Sequence, residues 1–169
     1  MALPSKLKDF NLFGDGNNWQ GQIAELNIPK LARKMEEYIG AGMDTPIDID
    51  VGGEKIEFEW TCGGLIDEIF DGFGTSRLDQ HQLRFAGAYI RDDTEETKAV
   101  EVIVRGRHRE IDPGTAKKAN DNTIKITTTC VYYKLIIDGR EIIEIDALGF
   151  IFKVNGVDRL AAKRKAIGL

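Results

Sequence analysis

LRFAGAYIRDDTEETKAVEVIVRGRHREIDPG, residues 83–114, decides the fold of this chain. Leu83, Phe85, Ala88, Tyr89 and Ile90 form one strand-like run, and the β-branched Val100, Val102, Ile103 and Val104 form a second. Between them Arg91–Thr97 is too polar to bury itself and reads as a turn. The stretch is therefore a β-hairpin with a charged tip, closed at its far end by Asp112-Pro113-Gly114.

Working outward, the flanks carry the same signature. Ile47–Trp60 alternates, with Ile49, Val51, Ile56, Phe58 and Trp60 expected on one side and a turn at Gly52-Gly53. Thr123–Ile137 reads as a long strand, Asp138-Gly139 as a hairpin turn, and Glu141–Phe152 as the return strand. Asp15–Asn18 marks a turn, and a strand with Trp19, Ile23 and Leu26 ends before Pro29. Leu31–Ile39 fits both periodicities: its helix formers favour a helix, its alternation a strand. Leu65–Phe70 is expected as a short internal helix stopped by Gly72 and Gly74. Asp158 is expected to cap a C-terminal helix. The chain thus reads as mainly β, two packed antiparallel sheets in a sandwich or small barrel, with one short internal helix and a C-terminal helix. No linker or internal repeat divides it. Residues 1–169 form one domain, with an extended N-terminal arm over about residues 1–15.

Composition narrows the function. At 169 residues, 42% hydrophobic and 30% charged, the chain supports a real core. The start, MALPSKLKDF, lacks the apolar segment of a signal peptide, so synthesis and folding in the cytoplasm are expected. Cys62 and Cys130 are then expected as buried, reduced thiols. The net charge of −5 is uneven: ten acids between Asp44 and Asp79 meet only Lys55 and Arg77, whereas Lys153–Leu169 carries five bases against Asp158. Such asymmetry suits either a solvated surface or the complementary faces of a self-assembling subunit.

Motifs for chemistry are absent. His81 and His108 have no cysteine or acid at metal-ligand spacing. Asp48, Asp50, Gly53 and Glu59 imitate a calcium loop, but Gly52 stands where a ligand is required and a strand follows. Gly14-Asp15-Gly16 opens no dinucleotide fingerprint, Ser5 and Ser76 are the only serines, and no acid sits beside a named base. No catalytic, metal or cofactor site is expected. A net acidic chain without aromatics between its bases also argues against a nucleic-acid binder.

Three blocks place the chain in a family. RFAGAYIRDDTEETKAVEVIVRGRHREID (Arg84–Asp112), LNIPKLARKMEEYIGAGM (Leu26–Met43) and VNGVDRL (Val154–Leu160), with the ending IGL and the start MALPSKLKDFNLF, resemble the major tail tube proteins of contractile-tailed phages and of R-type tailocins. The type VI secretion tube protein is similar too. The resemblance implies a strand over residues 31–39. It further implies a structural protein, six subunits to a ring, rings stacked into a hollow tube inside a contractile sheath, and passage of DNA (phage) or ions (tailocin). Implied partners are further copies of the chain, the sheath, and baseplate and terminator proteins. DNA enters only as passing cargo, and the target membrane only by mechanical penetration. The mature location is the virion or tailocin particle. A monomeric ligand-binding β-barrel and an unrecognised hydrolase are the rival classes.

Three groups of residues carry these roles. Leu3, Pro4 and Leu7 in the arm and Gly40, Ala41, Gly42 and Met43 in a loop are expected to contact adjacent rings. Asp67, Glu68 and Asp71 on the internal helix are expected to meet the sheath through a small polar contact. Glu57, Glu59, Glu101 and Glu144, on polar strand faces, are expected to give the lumen a net negative charge that repels phosphate.

Overall fold

The computed structural model describes residues 1–169. Twelve strands are present: β1 Lys6–Gly14, β2 Asn17–Asn18, β3 Ile23–Asn27, β4 Arg33–Tyr38, β5 Ile47–Gly53, β6 Ile56–Cys62, β7 His81–Ile90, β8 Thr97–Asp112, β9 Ile124–Ile137, β10 Arg140–Asp146, β11 Ile151–Val154 and β12 Val157–Asp158. A single helix, α1, spans Ala161–Ala166. Ten strands form one sheet, in the order β12-β11-β10-β9-β8-β7-β1-β2, with β6 joined to β9 and β3 to β6. The other two, β4 and β5, form a separate ribbon.

The β7–β8 hairpin is in register from His81 opposite Gly106 to Ile90 opposite Thr97. The long β9 then takes three partners. Its whole length lies against β8, while its other edge holds β6 along Ile124–Cys130 and β10 along Tyr132–Ile137. The fork falls at Val131, which the register skips between Cys130 and Tyr132. Gly106 faces this irregularity, and a Cβ there would lie 2.1 Å from the Thr129 carbonyl oxygen. Only glycine permits that approach. Beyond β9, Asp138 (φ +50°) and Gly139 (φ +77°) make the left-handed turn into β10.

Alternation sends one set of side chains into a single core: Phe58 and Trp60 from β6, Leu83 and Phe85 from β7, Val102 and Val104 from β8, Ile126 from β9 and Leu12 from β1. Since β6 and β1 are not neighbours in the sheet, their shared core means that the sheet curls over itself. Cys62 and Cys130 are free thiols within it.

Several expectations are corrected. The arm does not extend to about residue 15: Lys6–Gly14 is strand β1, paired with β7, because burying Leu12 and packing Phe10 needs a ladder partner. Ile47–Trp60 is not a hairpin on one face. β5 pairs with β4 and β6 with β3 and β9, so Ile56, Phe58 and Trp60 are buried while Ile49 and Val51 are exposed. The internal helix is one 3-10 turn, Asp67–Phe70, pinned by buried Ile66 and Ile69 and ended by Gly72 at positive φ. The return strand breaks after Asp146, whose carboxylate accepts from the Leu148 and Gly149 N–H groups, giving β10 and β11. Asp158 lies in β12, where it accepts from the Leu160 N–H ahead of α1 and pairs with Arg164. Residues 33–38 are strand, as the resemblance implied.

Candidate functional site

The β4–β5 ribbon is the least self-sufficient part of the molecule. Tyr38 lies opposite Ile47 and Glu36 opposite Ile49, so one face of the ribbon is largely apolar. The other carries Met35 opposite Asp50 and Glu37 opposite Asp48. Met35, Tyr38, Ile39, Ile47, Ile49 and Val51 are all exposed. A two-stranded ribbon has little independent stability, so this apolar surface calls for a partner. Its base is held by Arg33, which donates to both Asp50 carboxylate oxygens, at 2.8 and 3.1 Å, and lies 5.0 Å from the centre of the Phe152 ring. Those bonds hold the Asp50 carboxyl below its usual range and occupy a would-be calcium ligand. Gly40–Met43 is the tip, closed by Met43 N–H on the Gly40 carbonyl. Beneath the base lies a groove of about 410 Å³ whose lining includes Val51, Ile56, Ile145, Phe150, Phe152 and Leu160.

The arm and the β7–β8 tip form a second surface. Leu3 donates its N–H to Asp93 at 3.2 Å, and Lys8 pairs with Asp92 at 3.0 Å. Arg91 bonds the same Asp93 and holds its carboxyl below the ordinary value. Leu3, Pro4 and Leu7 are exposed, Leu7 within β1 opposite Tyr89. On this side β1 has a free edge: β2 covers only Phe13 and Gly14, and Trp19 bonds Leu12, which leaves Lys6–Asn11 without a backbone partner beyond β7. At the other end of the curl β3 has β6 as its only partner.

A third surface is the outward face of the ten-stranded sheet. The buried positions on β6 and β8, and the core-packed Ile143 and Ile145 on β10, alternate with Glu57, Glu59, Glu101 and Glu144, so all four lie on this face, half-buried. None stands alone. Glu101 pairs with Arg84 at 3.2 Å, Glu57 with Lys55 at 3.0 Å and Arg109 at 3.5 Å, and Glu59 with Lys125 at 3.9 Å. Glu144 accepts the Tyr132 hydroxyl at 2.7 Å and lies opposite Lys134 and Lys153. Burial and then that carboxylate push the Tyr132 phenol up to about 12. Arg105 stacks 3.9 Å over the Tyr132 ring, and Arg84 4.4 Å over Phe13.

The fourth surface is the segment between β6 and β7. Asp67, Glu68 and Asp71 are exposed there, and so are Leu65, Phe70, Phe73 and Leu78. Reading the sequence missed this apolar component, as it missed the exposure of Ile49 and Val51, whose alternation looked like core. His81 and His108 are both buried in the core and stack on each other with ring centres 4.1 Å apart.

These surfaces present free strand edges, exposed apolar side chains and paired charges, and they bring no nucleophile, base and acid together. The profile of the family described as "Phage tail tube protein FII" matches residues 4–168. The chain is similar to the tail tube protein of Escherichia phage P2, 46% identical over 172 residues and covering all of both chains. It is 38% identical to the major tail tube protein of Serratia phage KSP20, over 92% of this chain and 91% of that one. Its fold is also found in the sheath/tube terminator structure of the extracellular contractile injection system PVC, at TM-score 0.56 and 8% identity, over 77% of this chain and 93% of that chain. The PVC sheath-tube complex gives TM-score 0.53 at 12% identity, over 79% and 90%.

Proposed function

The chain belongs to the phage tail tube protein FII family, and from that premise we propose that it is the structural subunit of the inner tube of a contractile tail, closing into six-membered rings that stack into a hollow conduit. The observation that carries the ring is the pair of free sheet edges, Lys6–Asn11 of β1 and the outer side of β3. Exposed strand edges are aggregation hazards unless a defined neighbour consumes them. A closed ring of identical subunits does that without leaving an end.

Stacking falls to the ribbon and the arm. Gly40, Ala41, Gly42 and Met43 at the ribbon tip, together with Leu3, Pro4 and Leu7, contact the next ring, and the apolar ribbon face is buried there. The sheath sits on Asp67, Glu68 and Asp71. Leu65, Phe70 and Phe73, exposed in the same segment, make that contact mixed rather than purely polar.

The outward sheet face, with Glu57, Glu59, Glu101 and Glu144, lines the channel. Its glutamates act by occupying neighbouring bases: an arginine already paired with a carboxylate is a poor phosphate ligand, so a passing polyanion finds few free cations. Sheath contraction then drives a rigid tube through the target envelope, and DNA or ions pass along it. The chain is made in the bacterial cytoplasm and ends in the particle, joined at the tube ends to baseplate and terminator proteins.

Negative-stain imaging of the full-length chain tests the reading. Rings or hollow tubes are expected. A chain that stays monomeric both alone and when co-expressed with a tail sheath protein overturns it.

A further inference from the structure

Six side chains form a circuit through the core. Asp15, in the turn between β1 and β2, accepts from His81 Nδ1 at 2.7 Å through one carboxylate oxygen and from the Gln82 N–H at 2.9 Å through the other. The Asp15 N–H returns to the Gln82 carbonyl at 2.9 Å. These bonds hold Asp15 at φ +49°, a conformation that costs energy in a residue other than glycine. His81 stacks on His108, the rings within 10° of parallel. His108 Nδ1 lies 2.9 Å from the Thr128 hydroxyl, which also receives the Trp60 indole N–H at 3.3 Å. Trp60 stacks on Trp19 at 5.1 Å, which returns the circuit to the β1–β2 turn, and Gly14 is held to glycine by the Trp19 ring packed on it.

An indole only donates, so the Thr128 oxygen accepts from Trp60, and its single proton is free for His108. A neutral His108 with a bare Nδ1 can accept that proton. His81 Nδ1 faces an acceptor and carries a proton. Its Nε2 is buried without a partner.

We propose that the His81–His108 stack is an acid-sensitive fastener of the subunit: while His108 is neutral its Nδ1 accepts the Thr128 proton, and protonation of His108 opens the stack and releases the Asp15–Trp19 turn from the end of the sheet. A proton on His108 Nδ1 turns the Thr128 hydroxyl away from its acceptor, inside a core where Thr128 is 0% exposed. It also puts a cation into the core, stacked flat on the His81 ring. Burial first, and then the charge on His81, press His108 down to about 4, and Asp15 opposes the shift. The remaining groups around the stack do not compensate. Cys62 on β6 and Cys130 on β9 are pushed up to about 11 and 12 by burial, Tyr133 on β9 to about 12, and all three stay neutral in acid. Asp79, just ahead of β7, is bound to Arg77. Arg107, next to His108 on β8, bonds the Thr75 carbonyl.

The chain has two histidines and two tryptophans, and all four lie in this circuit, so both spectroscopic signals read it alone. In the full-length protein, imidazole 15N spectra between pH 8 and 4 should show His108 Nδ1 unprotonated for as long as the chain is folded. Two rings titrating independently near 6.5 in the folded chain overturn the proposal. Denaturant unfolding followed by tryptophan emission should show the unfolding constant of the wild type rising by about 10²-fold between pH 6.5 and 4, beyond the change in His108→Gln. Parallel pH profiles overturn it as well. If His108→Gln does not fold, the 15N titration of the wild type decides the matter.

Discussion

The ribbon β4–β5 and the strand β6 are adjacent in sequence and share one alternating pattern, yet they meet opposite fates. Phe58 and Trp60 are 0% and 1% exposed, whereas Ile49 and Val51, a few residues earlier, are 43% and 45% exposed. Alternation states that one face of a strand must leave water. It does not state whose chain will cover it. In β6 the cover is the subunit's own sheet. In the ribbon, on the proposed reading, it is another copy.

That contrast makes predictions, the largest in the core. Trp60→Ala should cost about 3–5 kcal/mol, since a stacked and fully buried indole leaves a cavity, and urea denaturation at pH 7 would measure it. Acid comes next and acts on the same half of the molecule. His108 is held at about 4 in the folded chain, against an ordinary 6.5 when unfolded. The unfolded chain therefore takes the proton first. Its stabilising contribution is complete above pH 6.5 and is lost as pH falls towards 4, by roughly 3 kcal/mol at most. Denaturant midpoints across that range check the sign. Gly106→Ala, at the fork, should cost about 1–3 kcal/mol, because the added methyl meets the backbone of β9. The smallest effect on the subunit belongs to the ribbon. The double variant Ile47→Ser, Ile49→Ser should change unfolding stability by less than about 0.5 kcal/mol and still abolish tubes in electron micrographs. A large loss of subunit stability, or normal tubes, would erase the distinction between the two regions.

Much of the sheet was legible because its signals are local. The Asp138-Gly139 turn, the β7–β8 hairpin and the run of β9 follow from residues within a few positions of one another. The ribbon was harder. LARKMEEY is made of helix formers that also alternate, and propensity loses there to the ladder with Ile47–Gly53; between the two periodicities only the family resemblance decided for a strand. The 3-10 turn fell short of a helix because Ile66 and Ile69 are anchored in the core on either side of so few residues. His81 and His108, 27 positions apart with no spacing motif, meet only because the β7–β8 ladder places their strands side by side. On the proposed assembly surfaces, the exposure of Asp67, Glu68 and Asp71 could be read from polarity. Leu65, Phe70 and Phe73 could not, since an exposed apolar side chain in sequence looks the same as a buried one.

The three-way sharing of β9 has a consequence in time. Trp60 and Thr128, bonded across the β6–β9 ladder, lie 68 residues apart, and at typical rates of synthesis the later partner is made roughly 3 to 14 seconds after the earlier one. Throughout that interval β6 has emerged with β3 as its only ladder partner, and β1 likewise waits for β7. A chain cut before Ile124 keeps the ribbon and the free edges but lacks the strand that closes the core. Such a fragment is expected to scatter light as an amorphous precipitate rather than join a growing tube. The last quarter or so of the message thus decides whether the rest becomes building material or waste.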